Sequence, residues 1–151
     1  DVHGPWKVLG SLSTDWQDYW NKDDALFRSE LGAPGPCDLC LIEKYSGNCN
    51  TLPSSKNPLW KRTGWWLELE QYLKENENVL NSAQDYIKWG QNRQSKILTT
   101  AAKACKSRFP ACGGLIIWMG HDSFPCTSNT SIVDFEGNPK PAAMELAKIF
   151  K

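Results

Sequence analysis

The chain has no net charge, no long apolar run and almost no histidine, and each shortage removes a class of function. Lys plus Arg and Asp plus Glu each number 17, so no basic field draws in nucleic acid or an anionic membrane surface. No apolar run approaches the roughly 18 residues that a membrane-spanning helix requires. The first residues, Asp1-Val2-His3-Gly4-Pro5-Trp6, lack the basic and apolar regions of a signal peptide, and we expect that the chain starts in mid-domain or after processing. Its two histidines are His3 and His121. Cys37-x-x-Cys40 with Cys49 therefore has neither a second CxxC nor a nearby imidazole to complete a zinc site. No metal and no cofactor is expected, and there are no internal repeats.

What is present is unusual. A length of 151 residues suffices for one domain with a sizeable core but not for a complete (β/α)8 barrel, which takes about 250. Eight tryptophans supply flat apolar rings, suited either to stacking on the C–H faces of sugars or to core packing. The six cysteines and the sequon Asn129-Thr130-Ser131 both fit an oxidising, secretory route with disulfides and a glycan.

Along the chain, residues 1–24 read as a surface connection with one helical turn around Trp16 to Trp20. Residues 25–29 form a short strand ending at Glu30 or Leu31, because Gly32, Pro34, Gly35 and Pro36 forbid its continuation. The Cys- and Pro-rich stretch 33–58 is too long for a plain connector, and is expected to be a lid or rim. Trp65, Trp66, Leu69, Tyr72 and Leu73 recur at helical spacing within 59–74, and a longer amphipathic helix is expected over 79–109 with Ser82 as a possible cap. Pro110 stops it and Gly113-Gly114 turn the chain. Leu115-Ile116-Ile117-Trp118 then reads as a strand buried on both faces. A loop over 119–128 follows, then Ile132-Val133-Asp134-Phe135, a Glu136-Gly137-Asn138 turn and a last helix opened by Pro141. The order predicts the α/β class: two consecutive β/α units.

In parallel α/β barrels the chemistry sits where strands end, so Glu30, Trp118 and Asp122 stand out. A glutamate there can attack an anomeric carbon if a second carboxyl group faces it at about 5–5.5 Å, or it can be a salt-bridged or capping residue. Trp118 fits a sugar platform or the core. Asp122 fits a bond to a sugar hydroxyl or to its own loop, and His3 and His121 fit site or structural roles.

At this point the sequence resembles glycoside hydrolase family 2. Leu26-Phe27-Arg28-Ser29-Glu30-Leu31-Gly32 looks like that family's F-x-S-E-F-G segment, which carries the nucleophile. The stretch from Gly113-Gly114 through Trp118 to His121-Asp122-Ser123-Phe124-Pro125 looks like its G-G-x-x-x-W-x-x-N-D-x-W-P segment. The likeness continues through Ser131-Ile132-Val133-Asp134-Phe135-Glu136-Gly137-Asn138-Pro139-Lys140-Pro141-Ala142, and Asp1-Val2-His3-Gly4-Pro5-Trp6 is similar to the Asp-x-His-x-x-Trp segment of the β-mannosidase branch.

The resemblance implies that residues 1–151 are the C-terminal portion of a TIM (β/α)8 catalytic barrel, with strands seven and eight and not a complete barrel. It implies a retaining β-glycosidase of β-mannosidase type with Glu30 as nucleophile, Trp118 as floor of the sugar site, and Asp122, His121, His3 and Trp6 binding substrate. The partners it implies are a β-linked carbohydrate and the upstream chain of the same barrel. The location it fits is secreted, extracellular, or lysosomal or vacuolar. Leu31, His121 and Phe124 depart from the usual aromatic, Asn and Trp, which keeps other family 2 activities open: exo-β-glucosaminidase, β-glucuronidase or β-galactosidase. The family's acid/base comes from an Asn-Glu pair, here matched only within Glu75-Asn76-Glu77, on the polar face or at the end of a helix. The acid is therefore expected upstream, and the alternative is a non-catalytic carbohydrate-binding or interaction module. On the barrel reading the loops holding Cys37, Cys40, Cys49 and Cys126 share the catalytic face. The expected disulfides join Cys126 to the 33–58 loop and Cys105 to Cys112.

Overall fold

The structure, a computed structural model, describes residues 1–8 and 10–151. Three parallel strands organise it: β1 (Val2–His3), β2 (Arg28–Leu31) and β4 (Leu115–Ile117), side by side in that order. A separate antiparallel ribbon pairs β3 (Gly35–Pro36) with β5 (Ser128–Asn129). Parallel neighbours need crossover connections. Helix α1 (Asp15–Asn21) lies in the first crossover, and α2 (Leu39–Tyr45), α3 (Pro58–Lys61), α4 (Leu69–Glu75) and α5 (Ala83–Ser107) lie in the second. Helix α6 (Pro141–Ile149) closes the chain, with Pro141 in its first turn. The result is a small mixed α/β domain whose three-stranded sheet, among the described residues, does not close into a barrel.

Helix α5 shows how the sequence builds this. The Ser82 side chain accepts from Asp85 N at 3.1 Å and caps the helix. Gln94, Ile97, Leu98, Ala101, Ala102 and Cys105 then recur at three- and four-residue spacing and are buried. This stripe joins Trp16, Trp20, Leu31 and Leu146 in the main core, against which Leu115 and Ile117 also pack. One face of the sheet is therefore covered by α1, α5 and α6. A second core, around Leu41, Ile42, Trp60, Tyr72, Tyr86 and Ile87, lies under the chain between β2 and α5.

Four expectations need correction. The stretch 1–24 is no surface connection: it contributes strand β1, and Trp16 and Trp20 of α1 are buried in the main core. The segment 33–58 is folded rather than a simple rim, since β3 pairs with β5 and α2 plants Leu41 and Ile42 in the second core. The helix expected over 59–74 is broken into α3, a 3-10 turn at Gly64–Trp66, and α4. Tertiary partners claim the groups a continuous helix would use: Glu68 N donates to the Tyr86 hydroxyl at 3.0 Å, and Ser128 Oγ to Trp66 O at 3.2 Å. Finally, β4 is not buried on both faces. Strand side chains alternate, so while Leu115 and Ile117 face the core, Ile116 is 53% exposed on the other side.

Candidate active site

Beyond the sheet, backbone hydrogen bonds continue the pairing and fix the course of the chain past each strand end. Gly4 N donates to Glu30 O at 2.6 Å, Gly32 N to Pro5 O at 3.3 Å, and Trp118 N to Leu31 O at 2.7 Å. The buried Arg28 ties the same corner together, donating through Nη1 to Gly4 O at 2.9 Å and through Nη2 to the Tyr19 hydroxyl at 3.0 Å while pairing with Asp23. His3 and Glu30 are register partners on adjacent strands.

These constraints place Glu30 in a cavity of about 590 Å³ at the C-terminal ends of the three strands, within the ~300–1,000 Å³ range of small-molecule sites. Its walls are aromatic: Trp6, Tyr19, Trp65, Trp66 and Trp118. Trp118 stands at the centre of an edge-on row, with Trp6 at 6.3 Å and 73° on one side and Trp66 at 5.9 Å and 67° on the other. The polar side chains on the wall are His3, Lys7 and Glu30, so Glu30 is the one carboxylate lining this cavity among the described residues. A larger cavity of about 760 Å³, bounded by residues 10–13, α4 and α5, has charged walls but no aromatic ring to meet a sugar face.

Gly32 is required by this geometry. A Cβ at residue 32 would lie 2.7 Å from the Trp118 carbonyl oxygen and 3.0 Å from Trp6 Cδ1, closer than packed atoms come. The glycine lets β2 and the two tryptophans share one wall.

Of the residues expected at the site, Glu30, Trp118, His3 and Trp6 line one cavity. Asp122 and His121 do not. Asp122 is 1% exposed; its carboxylate accepts from Asn129 Nδ2 at 2.9 Å and Cys37 Sγ at 3.4 Å, and lies 3.6 Å from Lys140 Nζ. With its oxygens so engaged it organises a buried polar cluster outside this cavity. His121 is exposed and bridges Val133 through its backbone. Tyr19, Trp65 and Trp66 escaped the sequence reading because Tyr19 lay in an apparent connection and both tryptophans in an apparent helical stripe.

The same buried cluster overturns the sequon. Asn129 is 4% exposed, and its side chain both donates to Asp122 and accepts from Thr130 N at 2.9 Å, which leaves no access for a glycan in the folded chain. All six cysteines are free. Those foreseen as partners are neighbours nonetheless: Cys37, Cys126 and Asp122 gather within 4.8 Å. Burial, reinforced by Cys112, pushes the Cys105 thiol up to about 11. The Cys37 thiol is pushed up too, chiefly by its hydrogen bond with Cys126 and by burial. Lys140 Nζ, bonded to Gly35 O and Ser131 Oγ at 2.9 Å each, already brings positive charge to the cluster. Elsewhere, Glu75 of the Glu-Asn-Glu stretch is held below its ordinary value. Burial alone would raise it, but hydrogen bonds from Gln71 and Trp89 and the nearby Arg93 outweigh that; Glu77, the glutamate of the Asn-Glu pair, lies in the turn just past the end of α4.

The chain is similar in fold to a solved β-mannosidase. It matches the crystal structure of β-D-mannosidase from Dictyoglomus thermophilum with a TM-score of 0.73 and 22% sequence identity, over 89% of this chain and 17% of that one. The chain thus spans under a fifth of the mannosidase's length, and at this identity the likeness is one of fold. No family model matches the chain, and no curated protein does.

Proposed function

We propose that this chain supplies the nucleophile side of the active site of a retaining β-glycosidase, of β-mannosidase type. The observation that carries the reading is Glu30: a lone carboxylate, at a strand end, in a cavity walled by tryptophans. The rings present flat apolar faces to the C–H groups of a pyranose, and Trp118 is the floor beside Glu30. The Glu30 carboxylate attacks the anomeric carbon, the aglycone leaves, and water then cleaves the glycosyl-enzyme. Release of an unactivated aglycone needs a proton donor facing Glu30. No second carboxyl group lines this cavity among the described residues, so we assign the donor to polypeptide that precedes these residues in the full enzyme. The fold likeness to a β-mannosidase supports this assignment and the choice of sugar; the glucosaminidase, glucuronidase and galactosidase alternatives differ only in that sugar. An oxidising, secretory location remains part of the proposal on the even cysteine number, without a glycan at Asn129.

The test uses the full-length enzyme and an aryl β-mannoside. Glu30→Gln is expected to lower kcat by about 10⁴-fold or more. In Glu30→Gly, added azide is expected to enter from the vacated side, displace the aryl group and give the α-mannosyl azide. Retained turnover in Glu30→Gln eliminates the mechanism. The absence of a second carboxylate from the cavity also favours a second reading, a silent sugar-binding module, which predicts unchanged sugar binding and no turnover in either form.

A further inference from the structure

The buried cluster around Asp122 has a chemistry of its own. Cys37 follows β3, and Asp122 and Cys126 lie in the loop between β4 and β5. Their two Sγ atoms and one carboxylate oxygen all lie within 4.8 Å of one another, and all three residues are buried. The sequence sets Cys37 beside Cys40 and Cys49, both exposed; the fold pairs it with Cys126 instead. The two oxygens of Asp122 are held differently. Oδ1 accepts from Asn129 Nδ2 at 2.9 Å, which orients the carboxylate. Oδ2 meets the Cys37 thiol, a weak donor, at 3.4 Å and Lys140 Nζ at 3.6 Å. Lys140 gives its hydrogen bonds at 2.9 Å to Gly35 O and Ser131 Oγ. A buried carboxylate oxygen is thus left short of a strong partner, which is costly.

Two thiolates and a carboxylate suit a borderline-soft divalent ion such as Zn²⁺, and the spacing suits its size. With bonds of about 2.3 Å to sulfur and about 2.1 Å to oxygen, a tetrahedral ion holds sulfur and oxygen about 3.6 Å apart; Cys37 Sγ and Asp122 Oδ2 stand 3.4 Å apart. Charge balances as well. Two thiols, the Asp122 carboxylate and the Lys140 ammonium sum to zero, and so do Zn²⁺, two thiolates, the carboxylate and the ammonium. The ion therefore adds no net charge to the interior. Cys126 also lines a cavity of about 410 Å³ bounded by α2, α3 and the loop after β4, a way in for an ion and room for a water as fourth ligand. We propose that Cys37, Asp122 and Cys126 form a Zn²⁺ site that ties the chain after β3 to the loop between β4 and β5. Each thiol gives its proton to solvent as its sulfur bonds the ion, with no change of oxidation state. The proposal is independent of the glycosidase reading.

The full-length protein, reduced and freed of metal by dialysis against a chelator, is titrated with Co²⁺. Visible absorption of Co²⁺ reports tetrahedral geometry, and charge-transfer bands in the near ultraviolet report bound thiolate. One equivalent is expected to give both signals, and added Zn²⁺ to abolish them. Cys37→Ser and Cys126→Ser are each expected to lower Co²⁺ affinity about 100-fold or more, while Cys40→Ser and Cys49→Ser stay within about twofold of the parent. Zinc-edge X-ray absorption of the Zn²⁺-loaded parent, which needs no variant, is expected to show two sulfurs at about 2.3 Å and oxygen ligands at about 2.0–2.2 Å. No thiolate band with Co²⁺, a band that survives in Cys37→Ser or Cys126→Ser, or a zinc shell without two sulfurs overturns the proposal.

Discussion

At residue 32 a hydrogen atom in place of a methyl group decides whether the site exists. The Trp118 carbonyl oxygen occupies the space of the missing Cβ, so Gly32→Ala must move Trp118, Trp6 or β2 by several tenths of an ångström. Displacements of about 1 Å cost roughly 10²-fold in rate when reacting groups lose alignment, and overpacking costs about 1–3 kcal/mol. Gly32→Ala is expected to lower kcat/KM by about 10-fold or more, with a loss of stability at the low end of that range. Steady-state kinetics alongside thermal unfolding check this, and a variant with full activity would show that Trp118 has freedom the packing denies it. Residue identity also marks where the sequence was legible. Glu30 and Trp118 announce themselves because each ends an apolar run. Asp122 sits in an equally conspicuous position, but whether a carboxylate meets ligand or its own loop depends on Asn129, Cys37 and Lys140, which only folding brings to it.

The long helix α5 connects the residue scale to the fold. Midway along its apolar stripe the fully buried Gln94 donates through Nε2 to Ala33 O and Ser131 O at 3.0 Å each, and to Thr130 O at 3.4 Å. One amide thus clamps the chain after β2 to the chain before α6, and Gly35 has no side chain because a Cβ there would lie 2.1 Å from the Gln94 Oε1. Gln94→Leu fills similar volume but strands buried carbonyls. A loss of about 1–3 kcal/mol is expected, read by chemical denaturation of the full-length enzyme; an unchanged midpoint would show that those carbonyls find other partners. The period of α5 and its Ser82 cap were plain from the sequence, because a 25-residue helix repeats its signal over many turns. The broken stretch from α3 to α4 was not. Its apolar spacing is helical, and what interrupts it is contact with Tyr86, Thr127 and Ser128, residues far off in sequence. Trp65 and Trp66, read as one helical stripe, consequently end in different surroundings.

On the scale of the whole molecule, the parallel sheet, among the described residues, packs helices on one side and leaves part of the other side open at Ile116. Among the described residues, the outer edges of β1 and β4 have no strand partner. Unpaired edges and bare apolar faces favour association. If further strands flank this sheet in the full enzyme, amides of β4 exchange more slowly there than in residues 1–151 expressed alone, and hydrogen exchange followed by mass spectrometry reads that difference directly. Equal, strong protection in an isolated monomer would contradict the partial-barrel account. The chemistry has a sharper test. A 2-deoxy-2-fluoro-β-mannosyl fluoride loses fluoride readily but, with fluorine at C2, leaves a slowly hydrolysed glycosyl-enzyme, so the attacking residue carries the sugar long enough to be mapped. With the full-length enzyme, the account predicts that the peptide containing Glu30 gains the fluorosugar and that Glu30 is the modified residue. Inactivation with the sugar on any other side chain would contradict it.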